Sequence, residues 1–181
     1  MTNRKKHPSK DIETANMKNY EFSLRFDVSE CQLNRDQIDD RLFEAGCDDA
    51  LVSHGRKGEV LLEFSREDNA ALDALMNAKQ QVLAALPGAR ILEAKPDYVG
   101  PTDIAKFYDV SRQRIQSILR DKTLGVHAMT CVGNTQIFRL VTVIDVLEEA
   151  GTVIKNDALR EAAFAASKLN RETDVNGYGA V

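Results

Sequence analysis

Residues 101–122, PTDIAKFYDVSRQRIQSILRDK, predict two short helices joined by a tight turn. The apolar residues recur at helical spacing, and the small Ala105 allows the two helices to cross closely. These apolar positions are Ile104, Tyr108, Val110, Ile115 and Ile118. The second helix leaves arginine, glutamine and serine side chains exposed, and these residue types hydrogen-bond base edges and phosphates. The stretch therefore predicts a helix pair that contacts nucleic acid.

Such a pair is typical of a helix-turn-helix, in which the first helix braces the second in the major groove of DNA. Thr102 is expected to cap the first helix and Ser111 the second. Asp109 stands in the turn, where glycine is common. Two strand-like runs, 129–132 and 135–140, follow with Gly133-Asn134 between them, which predicts a hairpin in the place of a wing.

Residues 101–150 resemble the winged helix-turn-helix domains of the MerR and AlpA/excisionase kind. After the helix pair, the matching text is QIFRLVTVIDVLEEAG, with Arg139, Asp145 and Val146. The resemblance implies that Arg139 contacts backbone phosphate from the wing. It also implies that the wing tip at Gly133 and Asn134 approaches the DNA backbone or the minor groove.

The candidate contacts are of two kinds, residues that read base edges and residues that bind phosphate. At base edges, arginine favours guanine and glutamine favours adenine. The expected base contacts are Arg112, Gln113, Gln116 and Ser117. The expected phosphate contacts are Arg114, Arg120 and Arg139. With the two caps and the wing tip, the candidate DNA-binding residues are Thr102, Ser111, Arg112, Gln113, Arg114, Gln116, Ser117, Arg120, Asn134 and Arg139.

Residues 18–96 predict a separate α+β domain with the element order βαββαβ. The first segment, 20–28, alternates apolar and polar residues as a half-buried strand does. A helix follows, with Asn34 and Gln37 at capping-box spacing and Gly46 at its end. The order is that of a ferredoxin-like sandwich, with both helices on one face of a four-stranded antiparallel sheet. Glu21, Arg25 and Glu63 are expected on the other face.

The sequence divides the chain into five parts. Residues 1–17 are expected to be a disordered basic tail, 18–96 the ferredoxin-like domain, 97–151 the winged helix-turn-helix, 152–170 a C-terminal helix and 171–181 a disordered tail. The segment 95–100, KPDYVG, is expected to be a linker because two prolines bracket it. In the C-terminal helix, Leu159, Ala163, Phe164 and Leu169 are expected to dock on the second domain or on a second subunit.

The distribution of charge matters more than its total. The 181 residues carry a net charge of −4, which excludes a uniformly basic surface. Residues 17–96 contain 10 basic and 15 acidic residues, whereas residues 101–122 contain five basic and three acidic residues. The positive excess therefore falls on the helix pair and on the N-terminal tail.

No pattern in the chain indicates catalysis, a metal site or a cofactor. The three cysteines show no C-x-x-C spacing, and the three histidines are scattered. No apolar run is long enough for a signal peptide or a membrane span, so we expect a cytoplasmic protein.

The sequence therefore predicts a transcriptional regulator that binds double-stranded DNA. The first domain would form a homodimer or hold a protein partner, as in an antitoxin-type autorepressor. The alternative is a protein-interaction adaptor whose helix pair contacts no DNA.

Overall fold

The computed structural model describes residues 17–152 and 156–178. The described part is mixed α+β, with two antiparallel sheets and six α-helices. The strands are β1 (Lys18–Asp27), β2 (Ala50–Ser53), β3 (Glu59–Asp68), β4 (Arg90–Lys95), β5 (Tyr98–Val99), β6 (Thr130–Val132) and β7 (Thr135–Arg139). The helices are α1 (Arg35–Glu44), α2 (Ala71–Ala85), α3 (Pro101–Phe107), α4 (Arg112–Leu119), α5 (Leu140–Glu149) and α6 (Asp157–Tyr178). The predicted basic tail, apart from Met17, lies outside the described residues.

The first sheet has the strand order β2-β3-β1-β4, and every neighbouring pair is antiparallel. The predicted alternation in β1 is confirmed. Tyr20, Phe22, Leu24 and Phe26 are buried, and the residues between them are more exposed. Leu24 lies opposite Leu62 of β3 and Ala94 of β4, so the central strand aligns one apolar face across the sheet.

Helices α1 and α2 cover that apolar face. The predicted capping box begins α1, since the Asn34 side chain accepts from the Gln37 amide and the Gln37 side chain accepts from the Asn34 amide. Gly46 follows the helix with a φ of 82°, a conformation that glycine adopts without steric cost. Ile38 and Leu42 of α1 join Val82 of α2 in one core.

The opposite face of the first sheet is polar. Glu21 and Glu63 are exposed there, as expected. Arg25 is only partly exposed, because its guanidinium donates hydrogen bonds to Glu59 of β3 at 3.1 Å and to Glu93 of β4 at 3.3 Å. This arginine therefore joins three neighbouring strands.

The segment after β4, which the sequence predicts as a linker, contains a short strand. Tyr98 and Val99 form β5, which pairs antiparallel with Arg139 and Phe138 of β7. The preceding Asp97 is fully buried, and its carbonyl accepts from the Leu140 amide at 2.7 Å. The second sheet therefore has three strands, in the order β5-β7-β6.

Helix α6 packs against both parts of the molecule. Ala162, Ala165, Ala166 and Leu169 belong to the core beneath the first sheet. Ala163 belongs to the second core, with Leu159 packed against it. Leu159 and Ala163 therefore dock on the second core, as expected. Leu169 instead packs in the core beneath the first sheet, and Phe164 is 60% exposed, so the expectation is wrong for these two residues.

The end of α6 also differs from the expectation. The helix continues to Tyr178, although residues 171–181 were expected to be disordered. The side chain of Asn170 explains part of this order. It donates to the carbonyl of Ala94 at 2.8 Å and accepts from the Ala94 amide at 2.7 Å, so α6 closes the edge of β4. Among the described residues, no helix is long and apolar enough to cross a membrane.

Candidate functional site

The first helix of the predicted pair begins two residues earlier than its sequence suggests. Gly100 is the N-cap residue of α3, and its amide donates to the Asp103 carboxylate at 3.0 Å. The expectation that Thr102 caps this helix is wrong, because Pro101 already occupies the first helical position, where its missing N–H costs nothing. Thr102 is exposed on the first turn.

The turn between α3 and α4 requires one left-handed residue. Asp109 adopts a φ of 50°, a region where aspartate is more common than most other non-glycine residues. The next amide, of Val110, donates to the carbonyl of Ala105 at 3.0 Å. Asp109 thus occupies the position where glycine is frequent, and the chain reverses there.

Ser111 caps α4, as predicted. Its hydroxyl accepts a hydrogen bond from the amide of Arg114 at 3.2 Å. Ile115, in the next turn, is fully buried and belongs to one core with Ile104 and Ala105 of α3. The cap and the buried isoleucine together fix how α4 is rotated against α3.

That rotation determines which side chains of α4 face outward. Successive residues turn by about 100°, so Gln113, Ser117 and Arg120 form one row on the side opposite Ile115. All three are exposed. Arg112 and Arg114 are exposed on either side of this row, and Gln116 is half-buried beside it. The outward surface, here called the α4 face, consists of Arg112, Gln113, Arg114, Gln116, Ser117 and Arg120.

The arginines of the α4 face keep their charge uncompensated. Within the described residues, Arg112, Arg114 and Arg120 form no ion pair. The nearby Asp121 accepts from the amide of Thr123 at 2.9 Å and from its hydroxyl at 2.6 Å. These two hydrogen bonds lower the pKa of Asp121, which forms no ion pair with any arginine that the structure describes.

The hairpin that follows is present, but its one arginine, Arg139, is buried. Strands β6 and β7 pair with Val132 opposite Thr135, and Gly133 turns between them with a φ of 58°. Asn134 is exposed at the tip, as its proposed role requires. No lysine or arginine occurs between residues 123 and 138, and Val132 is 68% exposed.

Arg139 is not at the surface, and the expectation that it contacts phosphate is wrong. Its side chain is only 9% exposed. Nη1 donates to Oδ2 of Asp97 at 2.6 Å and to the hydroxyl of Ser167 at 3.1 Å. The guanidinium also lies over the ring of Tyr98, 4.9 Å from its centroid. The buried carboxylate draws the guanidinium inward, away from any ligand at the surface.

Asp97 is a structural residue that the sequence did not reveal. Oδ2 accepts from Nη1 of Arg139 and, at 2.8 Å, from the side-chain amide of Asn170. Burial raises the pKa of Asp97, while the bonds from Asn170 and Arg139 oppose that rise. The sequence around Asp97 does not indicate this buried structural role, because its partners Arg139 and Asn170 are distant along the chain.

The described residues contain no group of three or more histidine, cysteine or acidic residues that could hold a metal ion. Cys47 is buried, and burial raises the pKa of its thiol. In this environment the thiol is a poor nucleophile.

Comparison of the chain with protein-family models, with curated proteins and with solved structures gave no match.

Proposed function

We propose that this protein is a sequence-specific DNA-binding regulator that places α4 in the major groove. The observation that carries the proposal is the α4 face, with two glutamines and three arginines that form no ion pair within the described part of the chain. In the same proposal, residues 97–151 are a winged helix-turn-helix and residues 18–96 a ferredoxin-like domain. The strand order β2-β3-β1-β4, with two helices on one face, supports the second assignment.

The position of each side chain along α4 supports its proposed role. N-terminal residues of a recognition helix contact base edges, so Arg112, Gln113 and Gln116 are the proposed base readers, with Ser117 one turn further on. Arg114 lies on a flank of the outward row and is proposed to contact phosphate. Arg120 lies at the C-terminal end of the row, where it extends toward the DNA backbone.

Because Arg139 is buried, the proposed wing would contact DNA without a positively charged side chain. Because the one arginine of the hairpin, Arg139, is buried, the hairpin offers neutral donors at its surface, among them backbone amides and the side chain of Asn134. The arginines of the α4 face must then provide most of the charge that binds phosphate. The salt dependence of binding should therefore depend mainly on α4.

The first domain is proposed to form a homodimer or to hold a protein partner. A homodimer would present two α4 helices to a palindromic site, because the symmetry of the protein matches that of the DNA. The 15 acidic residues in the segment 17–96 keep that domain away from DNA and suit a basic partner, as in an antitoxin-type autorepressor. A cytoplasmic location belongs to the same proposal.

The second candidate function is a protein-interaction adaptor without DNA binding. The hairpin favours it, because Val132 and the preceding Met129 are large, exposed apolar residues, whereas the one arginine of the hairpin, Arg139, is buried. Large exposed apolar side chains are common at protein contacts. The two candidate functions differ in whether the arginines of α4 contact DNA.

Two substitutions on α4 test the proposal. Binding is measured on a duplex selected by the protein from random DNA and on a scrambled duplex. Arg114→Gln should weaken binding to both duplexes and reduce the salt slope by about 1, whereas Gln113→Ala should lower the preference for the selected duplex. Arg41→Gln, which removes an exposed charge from α1, is the matched control and should change neither quantity. Failure to select any sequence, or equal binding by all variants, would favour the adaptor.

A further inference from the structure

A second surface of the molecule also has the composition of a binding site. A cleft of about 640 Å³ opens between the end of β1, the start of α1 and the β2–β3 loop. In the sheet, this end of β1 lies beside Glu59 and Arg90, whereas the chain leaves for β5 beside Ser23. The cleft therefore lies at one end of the first sheet, and the chain leaves toward α3 and α4 from the other end.

The rim of this cleft is positively charged. Arg35, Arg56 and Lys57 line it, are exposed and form no ion pair within the described residues. The one carboxylate in the lining, Glu59, accepts a hydrogen bond from Arg25. His54, also in the lining, lies 2.7 Å from Asp39.

The acidic residue nearest the end of β1 does not neutralise the rim. Asp27 accepts hydrogen bonds from the hydroxyl and the amide of Ser29, at 2.6 and 2.9 Å. It also pairs with Arg90 at 2.6 Å. Asp27 is therefore committed to other partners, and the three cations of the rim stay available to a ligand.

Apolar side chains form the interior of the cleft. Val28 and Ile38 are buried, and Leu33 is partly buried beside them. Gln32, also in the lining, has a φ of 50°, a left-handed conformation that costs energy for a side chain of this size. Backbone strain of this kind tends to occur where a surface is shaped for binding.

We infer that this cleft binds a small phosphomonoester with an apolar body. Two arginines and a lysine match a phosphate dianion, because guanidinium groups donate paired hydrogen bonds to its oxygens. The apolar interior accommodates the organic part, and the volume is in the range of small-molecule sites. The cleft would give the regulator a ligand-responsive site separate from the α4 face.

The test is an NMR titration of the full chain with phenyl phosphate. Saturable shifts are expected at the amides of Ser29, Lys57 and Gly58. The double variant Arg56→Gln/Lys57→Gln should bind about tenfold more weakly or worse, because it loses two charge-assisted hydrogen bonds. The matched double variant Arg41→Gln/Lys168→Gln, which removes two exposed charges outside the cleft, should bind as the wild type does.

Other probes identify the source of the phosphate. Inorganic phosphate and phenol should each bind more weakly than phenyl phosphate, since each lacks one half of the ligand. Equal affinity for inorganic phosphate and phenyl phosphate would overturn the claim that the ligand has an organic body. Displacement of phenyl phosphate by a DNA duplex would overturn the claim that the ligand is a small molecule. Linear shifts spread over many exposed cations, or unchanged binding by the Arg56/Lys57 variant, would overturn the site. The outcomes with phenyl phosphate, inorganic phosphate, phenol and the Arg56/Lys57 variant do not depend on the affinity of α4 for DNA, so they test the cleft separately from the proposed function.

Discussion

Arg139 at the end of β7 donates a 2.6 Å hydrogen bond to Asp97, which lies between β4 and β5, and both residues are buried. Asn170 of α6 donates to the same carboxylate oxygen and also bonds the edge of β4. Three segments that are far apart in the chain therefore meet at one carboxylate. The two sheets are joined by this buried polar network together with the apolar contacts of α6.

The first prediction concerns the charge balance of this network. Asp97→Ala leaves Arg139 buried without its partner, which should lower the free energy of unfolding by about 3–5 kcal/mol. Urea denaturation measures the loss. Arg90→Gln removes an ion pair whose arginine is largely exposed, and it should cost at most about 1 kcal/mol. Equal losses in the two variants would contradict a structural role for the buried pair.

The second prediction concerns the cap of α4. Ser111→Ala removes the acceptor for the Arg114 amide and should destabilise the protein by about 1 kcal/mol. Ser117→Ala, on the exposed side of the same helix, should change stability by no more than about 0.5 kcal/mol. Thermal unfolding of the two variants makes the comparison. If Ser117→Ala cost as much as Ser111→Ala, the outward orientation of Ser117 would be wrong.

The third prediction concerns α6, which contributes to both cores. Leu169→Ala removes a buried side chain beneath the first sheet and should cost about 2–5 kcal/mol. Phe164→Ala removes a larger but exposed side chain of the same helix, and we expect it to cost about 1 kcal/mol or less. Chemical denaturation distinguishes them. A larger loss of stability in Phe164→Ala than in Leu169→Ala would mean that α6 packs through its other face.

The fourth prediction concerns acid stability. The hydrogen bonds from Ser29, followed by that from Arg90, lower the pKa of Asp27 to about 2. A carboxylate with a lowered pKa in the folded state stabilises the protein above the ordinary value near 4 and loses that effect as the pH falls to about 2. The wild type should therefore exceed Asp27→Asn in stability by about 1 kcal/mol at pH 5, and the difference should shrink toward pH 2. A difference that does not change with pH would assign the effect of the substitution to packing.

Local patterns in the sequence predicted those elements whose signals lie within a few residues. The alternation in β1, the capping box of Asn34 and Gln37, and the cap at Ser111 all depend on neighbours one to three positions apart. The same spacing rules placed Arg114 and Ser117 on the surface of α4. These predictions needed no knowledge of distant parts of the chain.

The features that the sequence did not predict depend on distant contacts. Asp97 and Arg139 are 42 positions apart, and Asn170 lies 73 positions from Asp97. An arginine at the end of a strand such as β7 looks the same in sequence whether it faces DNA or a buried carboxylate. The strand β5 is only two residues long, so no periodicity could reveal it.

The central claim is that the α4 face binds DNA, and fluorescence anisotropy over a salt series tests it most directly. The labelled duplex comes from upstream of the protein's own gene, with a scrambled duplex for comparison. The account predicts tighter binding to the upstream duplex and a slope of log K against log salt of about −2 per protomer, or about −4 for a dimer, from the two proposed phosphate contacts Arg114 and Arg120 of each protomer. Absence of binding to either duplex at low salt would contradict it.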